Sequence, residues 1–220
     1  MNKLAVSLLN CDHAFLGDAL VRAQEAGADL IHIDVMDGVY VENLTFGPKT
    51  VEDLKKISKV PVEVHFELYD PQRYADMFIE AGADQIVFQL NSCVNTIRLL
   101  KKIRSAGLKA GIGINPADGF DNVRYLTDYL DLIVVMSVEP GFGNQEFEEK
   151  TYEKLERLKR FLSESEYEIP IAVDGSITCE RAEKLRRLGA SQFIVGTAIF
   201  HNNDVAGNIH NFKTIIRNNL

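Results

Sequence analysis

The chain has 220 residues, 46% hydrophobic and 25% charged, the mixture of an ordinary globular protein, which excludes disordered, collagen-like and mini-protein classes. Lys and Arg total 24 against 32 Asp and Glu, and a net charge of −8 gives nucleic acid no electrostatic footprint to bind. No apolar run approaches the roughly 18 residues that span a bilayer, and the segment Met1 to Ser7 lacks a signal-peptide core, so the expectation is a cytoplasmic protein with no membrane partner.

In chain order, β-rich apolar runs begin near Leu4, Leu30, Val62, Gln85, Lys109, Leu132, Ile169 and Gln192, and amphipathic stretches fill the gaps. Helices are predicted over 15–26, 49–57, 72–81, 96–106, 121–129, 147–162 and 179–188, with a closing segment over 209–216. One junction recurs. Ala26-Gly27-Ala28-Asp29, Ala81-Gly82-Ala83-Asp84, Ala106-Gly107-Leu108 and Leu188-Gly189-Ala190 each put a Gly where a helix must stop, a few residues before a strand. Repeated helix, Gly, strand builds βα units on a parallel sheet. Eight units of about 27 residues predict one (β/α)₈ TIM barrel domain over 1–220, near the lower size limit of that fold. A doubly wound open sheet would carry a Gly-rich turn after its first strand, whereas this chain has Leu9-Asn10-Cys11-Asp12-His13.

A barrel works at the C-terminal ends of its strands, so polar residues inside apolar strands are the candidates. These are Ser7 on strand one, His32 and Asp34 on strand two, Glu63, His65 and Glu67 on strand three, and Gln89 on strand four. Strands seven and eight end in Asp174-Gly175-Ser176 and Gly196-Thr197. Residues i and i+2 share a strand face, so His32 joins Asp34, and His65 joins Glu63 and Glu67. Cys11, Cys93 and Cys179 show no CxxC spacing, which leaves any metal to imidazole and carboxylate. His32, Asp34, His65 and Asp174 form an N₂O₂ set suited to one divalent ion, zinc first, with iron, manganese or cobalt as alternatives. The turns at Gly175-Ser176 and Gly196-Thr197 offer backbone N–H groups to a phosphate, or are ordinary strand-to-helix turns. The segment 138–145, with Gly141, Phe142 and Gly143, reads as a lid or a bland turn, with Met36 and Met136 as a soft wall nearby.

These segments resemble a known family. Ile31-His32-Ile33-Asp34-Val35-Met36-Asp37-Gly38 and Asn43-Leu44-Thr45-Phe46-Gly47-Pro48 are similar to the signature of the ribulose-phosphate 3-epimerases. The likeness returns in Met136-Ser137-Val138-Glu139-Pro140-Gly141-Phe142-Gly143, Val173-Asp174-Gly175 and Val195-Gly196-Thr197-Ala198-Ile199-Phe200. The resemblance implies a ribulose-phosphate-binding barrel of the pentose phosphate pathway, with a divalent metal on His32, Asp34, His65 and Asp174. It implies Asp34 and Asp174 as the acid/base pair, Ser7 at the substrate, and Gly175, Ser176, Gly196 and Thr197 at its phosphate. Epimerising a carbon α to a ketone needs a base on one face, an acid on the other and stabilisation of the enediolate between them. Barrels of this kind often assemble as homo-oligomers.

Departures from the family pattern bear on the substrate. Glu67 stands where a methionine is common, Gln89 where a His is common, and Ser176 and Thr197 resemble the allulose-6-phosphate 3-epimerase branch. Three readings follow: a ribulose 5-phosphate/xylulose 5-phosphate 3-epimerase, a hexulose-phosphate 3-epimerase such as one for D-allulose 6-phosphate, and a non-catalytic phosphosugar-binding paralogue.

Overall fold

The computed structural model describes residues 1–164 and 167–217. Eight parallel strands close into a barrel in sequence order: β1 (Lys3–Ser7), β2 (Leu30–Met36), β3 (Val62–Glu67), β4 (Gln85–Gln89), β5 (Lys109–Ile114), β6 (Leu132–Met136), β7 (Ile171–Asp174) and β8 (Gln192–Val195). Pairing of β1 with β8, from Lys3 beside Gln192 to Val6 beside Val195, shuts the ring. Around it lie α1 (Leu16–Glu25), α2 (Pro48–Ile57), α3 (Ala75–Glu80), α4 (Thr96–Ser105), α5 (Lys150–Ser163), α6 (Cys179–Arg187), α7 (Thr197–Phe200) and α8 (Val205–Arg217). The fold is the (β/α)₈ barrel that the sequence predicts. Among the described residues no helix is long and apolar enough to cross a membrane.

The repeated junction has a physical basis. Gly27, Gly82, Gly107 and Gly189 all hold φ between 85° and 107°, which lets each helix end and turn at once into the next strand. Aspartates just ahead of the strands tie neighbouring strands together: Asp29 and Asp84, after Gly27 and Gly82, accept from the Leu4 amide at 2.9 Å and from Val62 at 2.7 Å, and Asp131, ahead of β6, accepts from Ala110 at 2.9 Å. Each thus caps the first free N–H of the strand before it.

Strand alternation divides the core in two. Ile31, Ile33, Val35, Val62, Val64 and Phe66 face outward and pack under the helices. Ala5, Leu30, Val87, Leu132, Val134, Met136, Ala172 and Ile194 form a separate cluster that fills the barrel. On β2 and β3 the inner face is polar, and the register sets His32 beside Glu63, Asp34 beside His65 and Met36 beside Glu67.

Two elements differ from expectation. The segment predicted as a helix over 121–129 is two 3₁₀ turns, Asp121–Tyr125 and Thr127–Tyr129. Its amides of Val123, Leu126 and Tyr129 each bond three residues back, although the buried residues Val123, Leu126, Thr127 and Leu130 keep the spacing of one face of a helix. The helix predicted over 72–81 is shortened to α3, with Asp70 at φ 55° and Pro71 opening a 3₁₀ turn ahead of it.

Candidate active site

His32, Asp34, His65 and Asp174 converge at the C-terminal mouth of the barrel, each offering one donor atom, all within 4.8 Å of one another. His32 Nε2 is 3.0 Å from Asp34 Oδ1 and 3.8 Å from Asp174 Oδ2. His65 Nδ1 is 3.7 Å from each of those two oxygens. This is the set that the strand phases predicted, now joined by the β2–β3 register and by β7 from across the barrel.

Three of the four are held from behind. Glu63 Oε1 accepts from His32 Nδ1 at 2.7 Å, and the same carboxylate accepts from Gln85 at 2.5 Å and from Gln192 at 3.1 Å. Ser7 Oγ donates to Asp34 Oδ2 at 2.6 Å, which leaves Oδ1 for the cluster. The Gln89 amide nitrogen lies 3.0 Å from His65 Nε2. His65 Nδ1 and Gln89 Oε1 are among the buried atoms left without a hydrogen-bond partner.

The charges are tightly linked. Burial opposes an imidazolium at His32, but Asp34 and Glu63 outweigh it and hold this ring well above its ordinary pKa. Burial is likewise overcome at Asp34, where His32 and His65 keep the carboxyl well below the usual range, and at His65, which Asp174 and Asp34 lift to about 9. Glu67 goes the other way. Burial pushes its carboxyl up to about 8, His65 opposing and the Asp34 and Asp174 charges adding to the rise.

Above the cluster opens a cavity of about 410 Å³ whose wall includes Ser7, Asp34, Glu67, Met136 and Asp174. Gly175, Ser176, Gly196 and Thr197 also line it. Gly175 has φ 109° and Ser176 φ 48°, a bend that turns the chain straight from β7 toward α6. The Ser176 hydroxyl is engaged, donating to Gln145 O at 2.5 Å. Gly141, Phe142 and Gly143 also line the cavity, and the loop they belong to is tethered. Asn43 Nδ2 donates to Gly141 O at 2.8 Å, and Gln145 Nε2 donates to Glu139 O and Phe142 O at 2.6 and 2.8 Å. Met36 is buried at the end of β2 and is not part of the cavity wall.

Three wall residues escaped sequence reasoning: Asn10, Arg181 and His201. Asn10 packs so closely under the lid that a Cβ on Gly143 would sit 2.3 Å from its Nδ2. Arg181 donates to Ser176 O at 2.7 Å and lies over the Phe147 ring at 4.6 Å, which places a cation beside the Gly175-Ser176 turn. All three come from turns or helix starts, where no apolar background makes a polar residue conspicuous.

The fold recurs in known proteins. The solved structures of 3-hexulose-6-phosphate synthase from Salmonella typhimurium (TM-score 0.75, 19% identity, 97% of this chain and 98% of that one) and of KGPDC from Streptococcus mutans (TM-score 0.76, 16% identity, 98% and 97%) share the fold. In sequence, the chain is 36% identical to the ribulose-phosphate 3-epimerase of Bacillus subtilis (strain 168) over 205 residues, 93% of this chain and 94% of the relative. It is 38% identical to the ribulose-phosphate 3-epimerase of Escherichia coli (strain K12) over 202 residues, 91% and 90% of the two. A family model for ribulose-phosphate 3 epimerases matches residues 3–200, and with these relatives it establishes that the chain belongs to the ribulose-phosphate 3-epimerase family.

Proposed function

We propose that the protein is a metal-dependent isomerase that interconverts D-ribulose 5-phosphate and D-xylulose 5-phosphate by moving a proton at C3. The observation that carries this reading is the convergence of two carboxylates, Asp34 and Asp174, both lining one cavity, with the buried imidazoles of His32 and His65. Names of the relatives supply the sugar.

The donor set fits a divalent cation. Two nitrogens and two carboxylate oxygens with no thiolate suit zinc or iron(II), and a site with few protein ligands leaves room for substrate oxygens. Both orphaned atoms support the fit. A cation on His65 Nδ1 leaves the ring proton on Nε2, and a half-turn of the Gln89 amide brings its unpartnered oxygen there as acceptor. When bound, the cation supplies Lewis-acid stabilisation of the charge that builds on the ketose oxygens as the C3 proton leaves.

The chain's own groups do the rest. Gly175, Ser176, Gly196 and Thr197 hold the phosphate, with Arg181 adding a positive charge at that end. The ketose then lies across the cluster with C3 between Asp34 and Asp174. One carboxylate removes the C3 proton, the other carboxylic acid returns a proton to the opposite face, and the reverse reaction exchanges the roles. Ser7 keeps one lobe of Asp34 in place, so the other faces the cluster. The tethered 138–145 loop excludes water that would otherwise protonate the intermediate unselectively. At the rim, Val39, Leu44 and Val94 are 73%, 74% and 85% exposed, which supports self-association of the barrel.

The test is conversion of D-ribulose 5-phosphate to D-xylulose 5-phosphate by zinc-loaded protein, followed by ¹³C NMR, with D-allulose 6-phosphate in a parallel tube. Turnover of the pentulose supports the proposal. Turnover of the hexulose alone, or binding without turnover, overturns it.

A further inference from the structure

Glu67 ends β3 on the inner face of the barrel and lines the cavity, yet it stands outside the four-residue donor set. It is 3% exposed, and its Oε2 is buried without a hydrogen-bond partner. Glu63, two turns of the pleat below, shows the contrast, because both of its oxygens receive donors from His32, Gln85 and Gln192. A buried carboxyl oxygen left without a donor weakens the fold unless a bound group completes it. Met36, its register neighbour on β2, has no donor to give.

Position says which group completes it. In the closed strand order β3 stands across the barrel from β7 and β8, which carry Gly175, Ser176, Gly196 and Thr197. The two aspartates lie between these ends. A ketose phosphate with its phosphate at β7 and β8 and its C3 over the aspartates has one terminus left to direct toward β3, the C1 hydroxymethyl group. A hydroxyl both donates and accepts, so it satisfies the Glu67 carboxyl whichever protonation state that group holds.

We infer that Glu67 is a substrate-contacting, specificity-determining residue that binds the C1 hydroxyl and favours ketose phosphates carrying it over their 1-deoxy analogues. The inference rests on the 3-epimerase reading for the placement of the sugar. A hydroxyl-binding site rejects the analogue that lacks the group, because its own polar atom is then left buried and unpaired.

The experiment compares D-xylulose 5-phosphate with 1-deoxy-D-xylulose 5-phosphate on metal-loaded wild type, Glu67→Gln and Glu67→Met. It reads kcat/KM for exchange of the C3 hydrogen, and affinity by calorimetry. Wild type is expected to prefer the hydroxylated sugar by about tenfold to a hundredfold, Glu67→Gln to keep most of that preference, and Glu67→Met to lose it. A wild-type preference below about threefold overturns the inference without any variant. So does an equal preference in all three proteins, or a loss of bound metal in Glu67→Met with the preference unchanged, which would make Glu67 a ligand. If wild type exchanges the C3 hydrogen of neither sugar, the epimerase reading falls, while the affinity ratio still decides the role of Glu67.

Discussion

His32 Nδ1 lies 2.7 Å from Glu63 Oε1, and both side chains are fully buried. This bond keeps a ring proton on Nδ1, so that Nε2, beside Asp34 and Asp174, is the nitrogen left to bind a cation, the orientation a metal ligand needs. In Glu63→Gln the amide can donate to Nδ1 and stabilise the wrong tautomer. We expect zinc affinity, read by competition with a chelator, to fall about 10- to 100-fold with the fold retained. Unchanged affinity would reduce Glu63 to a structural plug.

The lid gives a second prediction. Asn43, from the loop after β2, holds the Gly141 carbonyl of the loop after β6 at 2.8 Å, so one side chain bridges two loops over the cavity. Asn43→Ala removes that bridge and should raise KM for ribulose 5-phosphate about two- to tenfold, the worth of one such hydrogen bond. Steady-state kinetics on the variant checks it.

The third concerns pH. In chelated protein, burial disfavours the His65 imidazolium, but Asp174 and Asp34 outweigh it and lift the group from 6.5 to about 9. A pKa raised on folding contributes stability that is full below about pH 6.5 and lost as pH rises through about 9. Thermal midpoints of chelated protein should therefore fall across that window. At pH 7 zinc must displace imidazole protons, so calorimetry in buffers of different ionisation enthalpy should report proton release, diminishing toward pH 9. A flat midpoint with no proton release contradicts the coupling.

Much of this was legible in the sequence, for definite reasons. Strands such as Leu30–Met36 announce themselves because a buried parallel strand must be apolar, and the same background exposes His32 and Asp34 as exceptions. Gly27 and Gly189 mark junctions because few other residues adopt their φ. Long-range placement was hidden. Strand phase set Glu63 beside His65, but its partner is His32, which only the β2–β3 register reveals. Phase also could not say that Met36 would be buried off the cavity wall, or that Asn10 and Arg181 would enter it from turns. The 3₁₀ turns near Asp121 are hidden from sequence reading because Val123, Leu126 and Leu130 carry the spacing of one face of an α-helix.

The most direct test of the two-carboxylate claim is deuterium incorporation at C3 in D₂O, starting separately from each pure epimer, with wild type and Asp174→Asn. Wild type should label both epimers and interconvert them. Asp174→Asn should slow interconversion by about 10²- to 10⁴-fold while still labelling one epimer and not the other, since a single carboxylate reaches one face. Undiminished interconversion in Asp174→Asn, with metal and phosphate ester still bound, would contradict the mechanism.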